Sequence, residues 1–278
     1  MAKEENLVVD ELLTKPSAVS PTLFVGLGGC GCKMVVRIAR HLKRRHDYEE
    51  RYKDLVKFAL VDTNINDLES YREQADETFL ISDFEKEEYA NFASGLKFVE
   101  ADPYFTQWVP QNYRFRAGDT AGAGQIRIES RLGCYYQMRH GDFVPRFRRL
   151  LESLKSHEHG HRRLDSREIR IVICYSVAGG TGSGSHLTIA YMLRDQAKAL
   201  GKPYIIGVSV LPGVFEDKTG TNKDGTFANG YAALKENEHL MKLGAPESRF
   251  FPDSGLEFHY DPSDESKTHV REKPFEFL

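Results

Sequence analysis

Two glycine-rich segments stand out among the residues whose types and spacing could do chemistry. Gly26-Leu27-Gly28-Gly29-Cys30-Gly31 follows a short apolar run and precedes residues at helical spacing, the layout of a G-x-G-x-x-G loop. Gly179-Gly180-Thr181-Gly182-Ser183-Gly184 has the same setting and adds the hydroxyls of Thr181, Ser183 and Ser185. Glycines let a backbone come close to a phosphate, and a helix start offers free N–H groups and the positive end of its dipole. A Walker A loop is excluded, because no lysine follows Gly184. Two such loops at the ends of different strands of one sheet can hold one polyphosphate from two sides.

Other candidates each carry more than one reading. Asp62 closes a strand as a turn cap, as an indirect Mg²⁺ ligand, or as a distant counterpart of the acidic ribose ligand of dinucleotide folds. Asn229 either caps a turn or offers both donor and acceptor to a purine edge. Cys30 and Cys32 form a C-x-C without a second pair, which favours reduced thiols packed beside a loop over a metal site. His157, His159 and His161 lie in a polar run and read as an inter-element loop rather than a metal site. Asp261 and Asp264 have D-x-x-D spacing, read as a solvated acidic loop rather than a catalytic one.

The elements that must position these residues alternate. Strands are expected at Thr22–Val25, Val56–Val61, Thr78–Ile81, Ile169–Tyr175 and Tyr204–Leu211. Helices are expected from Gly31 onward, over Phe84–Ser94, and from Ser185 to Leu200. A further long helix holds Ile128 to Leu154, with Gly141 and Pro145 as interruptions, and Pro103–Gly118 is irregular. Pro274–Leu278 reads as the start of another strand. The alternation predicts an α/β fold, a Rossmann-like, mostly parallel sheet with helices on both faces.

Composition bounds the rest. Across 278 residues, 40% are hydrophobic and 28% charged, enough for a sizeable core. The net charge of −3 gives no global case for nucleic acid, and the basic stretch from Lys43 to Lys57 is interleaved with acids. No apolar run is long enough for a transmembrane span, and the amino terminus lacks the pattern of a signal peptide, so a cytoplasmic location is expected.

Ala178-Gly179-Gly180-Thr181-Gly182-Ser183-Gly184 resembles the G-G-G-T-G-[ST]-G loop of the tubulin/FtsZ GTPases, departing only at its first position. The resemblance runs in order from about Leu23 to Leu243 and points to a divergent bacterial tubulin-like protein. It implies that Gly28, Gly29, Cys30 and Gly31 form the first phosphate loop, and that Asp62 and Asn64 lie near the ribose or Mg²⁺. Gly122, Ala123 and Gly124 then approach the terminal phosphate, with Gln125 one place before the family's asparagine. Glu216 lies in the sugar-contacting loop, and Asn229 is similar to the asparagine that reads the guanine edge. The implied ligands are GTP or GDP with Mg²⁺, and the implied partner is another subunit, joined head-to-tail.

On this reading, residues 1–20 are a flexible leader and 21–278 a GTP-binding domain that stops before the family's central helix and second domain. Its hydrolysis is completed by an adjacent subunit's acidic loop that is not evident in this chain, so the chain alone is expected to be weak or inactive. The alternatives are an NAD(P)- or FAD-binding oxidoreductase using Gly26, Gly28 and Gly31, and a non-hydrolysing tubulin-like scaffold.

Overall fold

The computed structural model describes residues 20–83, 108–110, 113, 125–155, 168–217, 223–244, 255–262, 264 and 266–278. The expected leader, the 84–94 helix, almost all of 103–118, Gly122–Gly124 and the three histidines lie outside the described residues, Ser20 apart. Five strands, β1 (Thr22–Leu27), β2 (Val56–Asp62), β3 (Glu77–Leu80), β4 (Glu168–Ser176) and β5 (Lys202–Val210), form a wholly parallel sheet in the order β3-β2-β1-β4-β5.

Alternation along the strands feeds both faces, as a doubly covered parallel sheet requires. Leu23, Val25 and Leu27 of β1 share one core with Ile169, Ile171 and Ile173 of β4, beneath α4 (Arg127–His140), α5 (Phe143–Lys155) and α6 (Gly180–Lys198). Phe58 and Leu60 of β2 point the other way and meet Cys32, Val35, Val36 and Ala39 of α1 (Gly28–Lys43). Two short helices, α2 (Tyr48–Arg51) and α3 (Ile65–Tyr71), complete the links between β1 and β3.

The expected long helix breaks between His140 and Phe143. Pro145 falls within the first turn of α5, where the helix needs no N–H from it. A seventh helix, α7 (Lys223–Leu240), was not foreseen, because its apolar residues face two ways: Ala233 and Leu240 are buried while Phe227, Tyr231 and Leu234 are exposed.

Beyond α7, β6 (Leu256–Glu257) and β7 (His269–Val270) pair antiparallel. The last residues return to the sheet as expected. Glu276 N donates to Ile205 O at 2.7 Å and Gly207 N to Phe277 O at 2.9 Å, a parallel bridge on β5. Among the described residues, no helix is long and apolar enough to cross a membrane.

Candidate functional site

The sheet order reverses direction between β1 and β4, and the carboxyl ends of these neighbouring strands are where open parallel sheets bind ligands. Both glycine segments sit at that point. Each begins its helix earlier than apolar spacing indicated: α1 starts at Gly28, not Gly31, and α6 at Gly180, not Ser185. The glycines themselves make the first turns, and periodicity of large side chains cannot register them.

Neither helix start is capped by a side chain, and neither first turn holds an acidic residue. The initial N–H groups of two helices therefore open on one crevice with no capping side chain or acidic residue of their own first turns to satisfy them. Gly28 adopts φ +69°, and a β-carbon there would lie 3.1 Å from Thr181 Cβ, so the two loops touch. At Gly31 a β-carbon would lie 2.0 Å from Cys174 O, which is how α1 comes so close to β4. Gly29, Cys30 and Gly179 are the partly open points of the loops, and a β-carbon at Gly179 would meet nothing within 4 Å.

The hydroxyls foreseen as ligands turn inward. Ser183 Oγ donates to Gly179 O, and Ser185 Oγ donates to Thr181 O at 2.6 Å. Thr181 Oγ1 lies 3.0 Å from Thr63 Oγ1 and 3.3 Å from Asp62 Oδ1. What the second loop offers a ligand is backbone N–H, which suits phosphate.

Asp62 is 3% exposed. Its Oδ1 accepts the N–H groups of Thr63 at 2.7 Å and Asn64 at 3.3 Å, while Oδ2 is buried without a partner. Burial pushes the carboxyl up to about 6 against those N–H donors, and the neighbouring Asp67 pushes it the same way. A β-carbon at Gly29 would lie 3.2 Å from Asp67 Oδ2 and 4.0 Å from Asp62 Oδ2, so two carboxylates flank the first loop. A phosphate beside such a pair requires a cation between them. The orphaned Oδ2 fits a hydrated Mg²⁺, which keeps most of its waters and needs few protein ligands. Among the described residues, no group of three or more His, Cys, Asp and Glu could hold a metal ion by itself.

Other foreseen residues take structural positions. Asn64 caps α3, its Oδ1 accepting from Asn66 N at 3.0 Å, and its Nδ2 donates to Asp67 Oδ2 at 3.3 Å. Asn229 Nδ2 donates to Gln125 O at 2.7 Å and Ala178 O at 3.1 Å, which joins α7, the lead into α4 and the second glycine loop. Both amide hydrogens are used there, which leaves only Oδ1 for a base edge. Gln125 itself has φ +67°. Glu216 is exposed just after the 3-10 turn Pro212–Phe215, whose approach is tied to the site by Val177 N donating to Val210 O at 3.1 Å.

Cys32 is buried, its Sγ 3.5 Å from Gly26 O and 3.7 Å from Val61 O, either of which can accept its one hydrogen, and burial raises its thiol well above the ordinary value. Asp261 is 4% exposed rather than solvated. Next to it, Tyr260 Oη donates to Asp195 Oδ2 at 2.5 Å in the last turn of α6. The D-x-x-D therefore sits at the end of α6 opposite the glycine loop.

Three bracing residues were not foreseen from sequence. Ser130 Oγ donates to Gly180 O at 2.9 Å, and Arg127 donates to Ser183 O at 3.0 Å. His186 stacks on Tyr175 with centroids 4.5 Å apart. Burial lowers its imidazole to about 4, so the ring is neutral. Its Nδ1 faces the carbonyls of Gly182 and Ser183, each at 3.1 Å, and must carry the proton. Nε2 lies 2.9 Å from Asn237 Oδ1, and the Asn237 NH₂ donates to Tyr175 Oη at 3.4 Å; with the one ring proton on Nδ1, that amide has to turn over to give Nε2 a donor. Only a location in the first turn of α4 and the second turn of α6 marks these residues, and no motif names them.

Residues 23–278 match the sequence model of a family described as tubulin like. No curated protein matches the sequence. Similar solved structures include a GTPγS-form protofilament of TubZ from Bacillus thuringiensis serovar israelensis, at 13% identity, 88% coverage of this chain, 46% of that chain and TM-score 0.42. An empty FtsZ dimer from M. jannaschii gives 17%, 87%, 52% and 0.40. CetZ from Methanosaeta thermophila gives 18%, 83%, 50% and 0.43. The chain spans about half the length of these structures.

Proposed function

The chain belongs to the tubulin-like family, and on that premise we propose that it is the guanine-nucleotide-binding domain of a filament-forming GTPase. The observation that carries the reading is the meeting of two uncapped, acid-free helix starts at the switch point between β1 and β4. In this reading the N–H groups of Gly28–Gly31 and Gly179–Gly184 hold the phosphates, and the family resemblance assigns Gly122–Gly124 to the terminal phosphate. Asp62 Oδ2 anchors a hydrated Mg²⁺, and Thr181 and Thr63 orient that carboxylate through Oδ1. A bound Mg²⁺ supplies charge neutralisation between phosphate oxygens and the Asp62–Asp67 pair.

Asn229 holds the second loop against the base side, Oδ1 remaining for the donor edge of guanine, and Glu216 lies on the sugar side. Hydrolysis is completed by an acidic loop of an adjacent subunit in a head-to-tail filament, in a cytoplasmic setting. The buried site of Asp261 at the far end of α6 supports a site that is not catalytically complete in one chain.

Nothing in the site favours the oxidoreductase reading: the Asp62 carboxylate is turned onto Thr181 of the second glycine loop. Thermal unfolding with GTP, ATP and NAD, each with and without Mg²⁺, tests the proposal. GTP with Mg²⁺ is expected to raise the midpoint most. A selective shift with NAD would reinstate the oxidoreductase, and no shift with any nucleotide would leave the scaffold. Light scattering and phosphate release are expected to stay at baseline for this chain with GTP alone.

A further inference from the structure

A cavity of about 410 Å³ is bounded by α4, α6, α7 and β6, with Ser183 and Gly184 of the second glycine segment in its wall. Its volume falls in the range of small-molecule sites. Ile128, Leu187, Leu240 and Leu256 give it an apolar wall, and Arg127 and Arg131 reach it from α4. Arg127 is engaged, donating to Ser183 O and pairing with Glu236. Arg131 is different. Its guanidinium lies 4.7 Å from the ring centroid of Trp108 and 5.4 Å from that of Phe258, and among the described residues no carboxylate or carbonyl pairs with it. Burial lowers it to about 10, still a cation at neutral pH, and Arg127 nearby pushes the same way against Glu236.

A guanidinium has five donors in a fixed fork, matched to a carboxylate. Two aromatic faces hold this one flat, so it is pre-organised to receive a planar partner. Arg127 is spent on Glu236, and Glu257 Oε1 lies 3.2 Å from His259 Nε2, so Arg131 is the wall's cation without an ion pair among the described residues, which suits a single carboxylate group. A phosphate dianion would meet the carboxylates of Glu236 and Glu257, both in the wall.

We propose that this cavity binds a small organic monocarboxylate with a flat apolar body, its carboxylate held by the Arg131 fork and its body lying between Trp108, Phe258 and the leucines. The cavity borders the second glycine segment at Ser183 and Gly184, but the inference rests on Arg131 and its aromatic neighbours and does not depend on the nucleotide reading.

The chain's single tryptophan stands in the cavity wall, so its emission reports occupancy directly. Titration of the full chain with benzoate is expected to give a saturable change in Trp108 emission. Benzamide, which has the same shape without the charge, and inorganic phosphate are expected to give none. Arg131→Gln is expected to weaken benzoate binding at least tenfold, and Arg131→Lys, which keeps the charge and loses the fork, to weaken it by a smaller factor. If Arg131→Gln does not fold, Arg131→Lys carries the comparison. Equal responses to benzoate and benzamide, a phosphate response as tight as that of benzoate, no saturable response at millimolar benzoate, or unchanged binding in the variant would each overturn the proposal.

Discussion

Thr63 Oγ1 and Thr181 Oγ1 lie 3.0 Å apart and join the end of β2 to the second glycine loop across the strand between them. Both are buried, and Asp62 Oδ1 accepts from Thr181 at 3.3 Å. Thr181→Val keeps the shape and deletes the hydroxyl, leaving Thr63 and Asp62 short of a partner. The expected cost is about 1–2 kcal/mol in urea unfolding, together with weaker nucleotide binding by titration.

Asp62→Asn separates folding from ligand binding. The folded carboxyl titrates at about 6 against an ordinary 3.8. A raised acid favours the fold fully below 3.8, and that contribution is lost as pH rises through 6. The variant lacks this loss, so its advantage without ligand should grow from pH 4 to 6 and then level off. The new NH₂ has no acceptor either, which limits the gain to roughly 1–2 kcal/mol. The same variant is expected to lose the Mg²⁺ dependence of nucleotide binding. A variant that is less stable at pH 7 and keeps full Mg²⁺ dependence would remove Asp62 from the site.

His186 acts with the opposite sign. Its imidazole is lowered to about 4 from 6.5, so its contribution is complete above 6.5 and is lost as pH falls through 4. In wild type the Asp62 gain masks part of this fall. In the Asp62→Asn background, unfolding free energy should drop by up to about 3 kcal/mol between pH 6.5 and 4. A flat profile there would show that the ring is not held neutral.

Arg194 is 5% exposed and donates to Glu276 Oε1 at 2.9 Å and Pro274 O at 3.2 Å. Glu276 Oε2 also accepts Ile205 N at 2.5 Å. Glu276→Ala removes the nearer carboxylate of a buried guanidinium, which keeps Glu272 at 3.7 Å, and frees a strand N–H, so equilibrium denaturation should show a loss of about 2–3 kcal/mol. A loss below about 1 kcal/mol would mean that the segment is not fastened by this pair.

Much of the fold was legible because each parallel strand is a nearly continuous apolar run and each glycine segment punctuates a strand and a helix. Ile169–Tyr175 is the plainest case, lengthened by only one residue at each end in β4. Legibility failed where side chains of one type serve two masters. α7 hid its period because Tyr231 is 70% exposed while Ala233 is fully buried. At the site, the pattern named the loops and could not tell which atoms face a ligand. Thr181 and Ser183 proved to be braces, and Asn64 a helix cap. Arg131 carries no motif at all, since what distinguishes it is the aromatic pair around it and the lack of an ion-pair partner among the described residues.

The return of Glu276 and Phe277 to β5 also bears on how the chain meets its own kind. A bare parallel edge is a template on which another extended chain can add, the route to amyloid-like pairing. Here the middle of that edge, at Ile205 and Gly207, already has its hydrogen bonds filled, and a buried ion pair holds the filling in place. Strand addition is blocked at the centre of β5, so a partner that meets the sheet on this side has to use loops and helix faces, whose geometry can be read specifically.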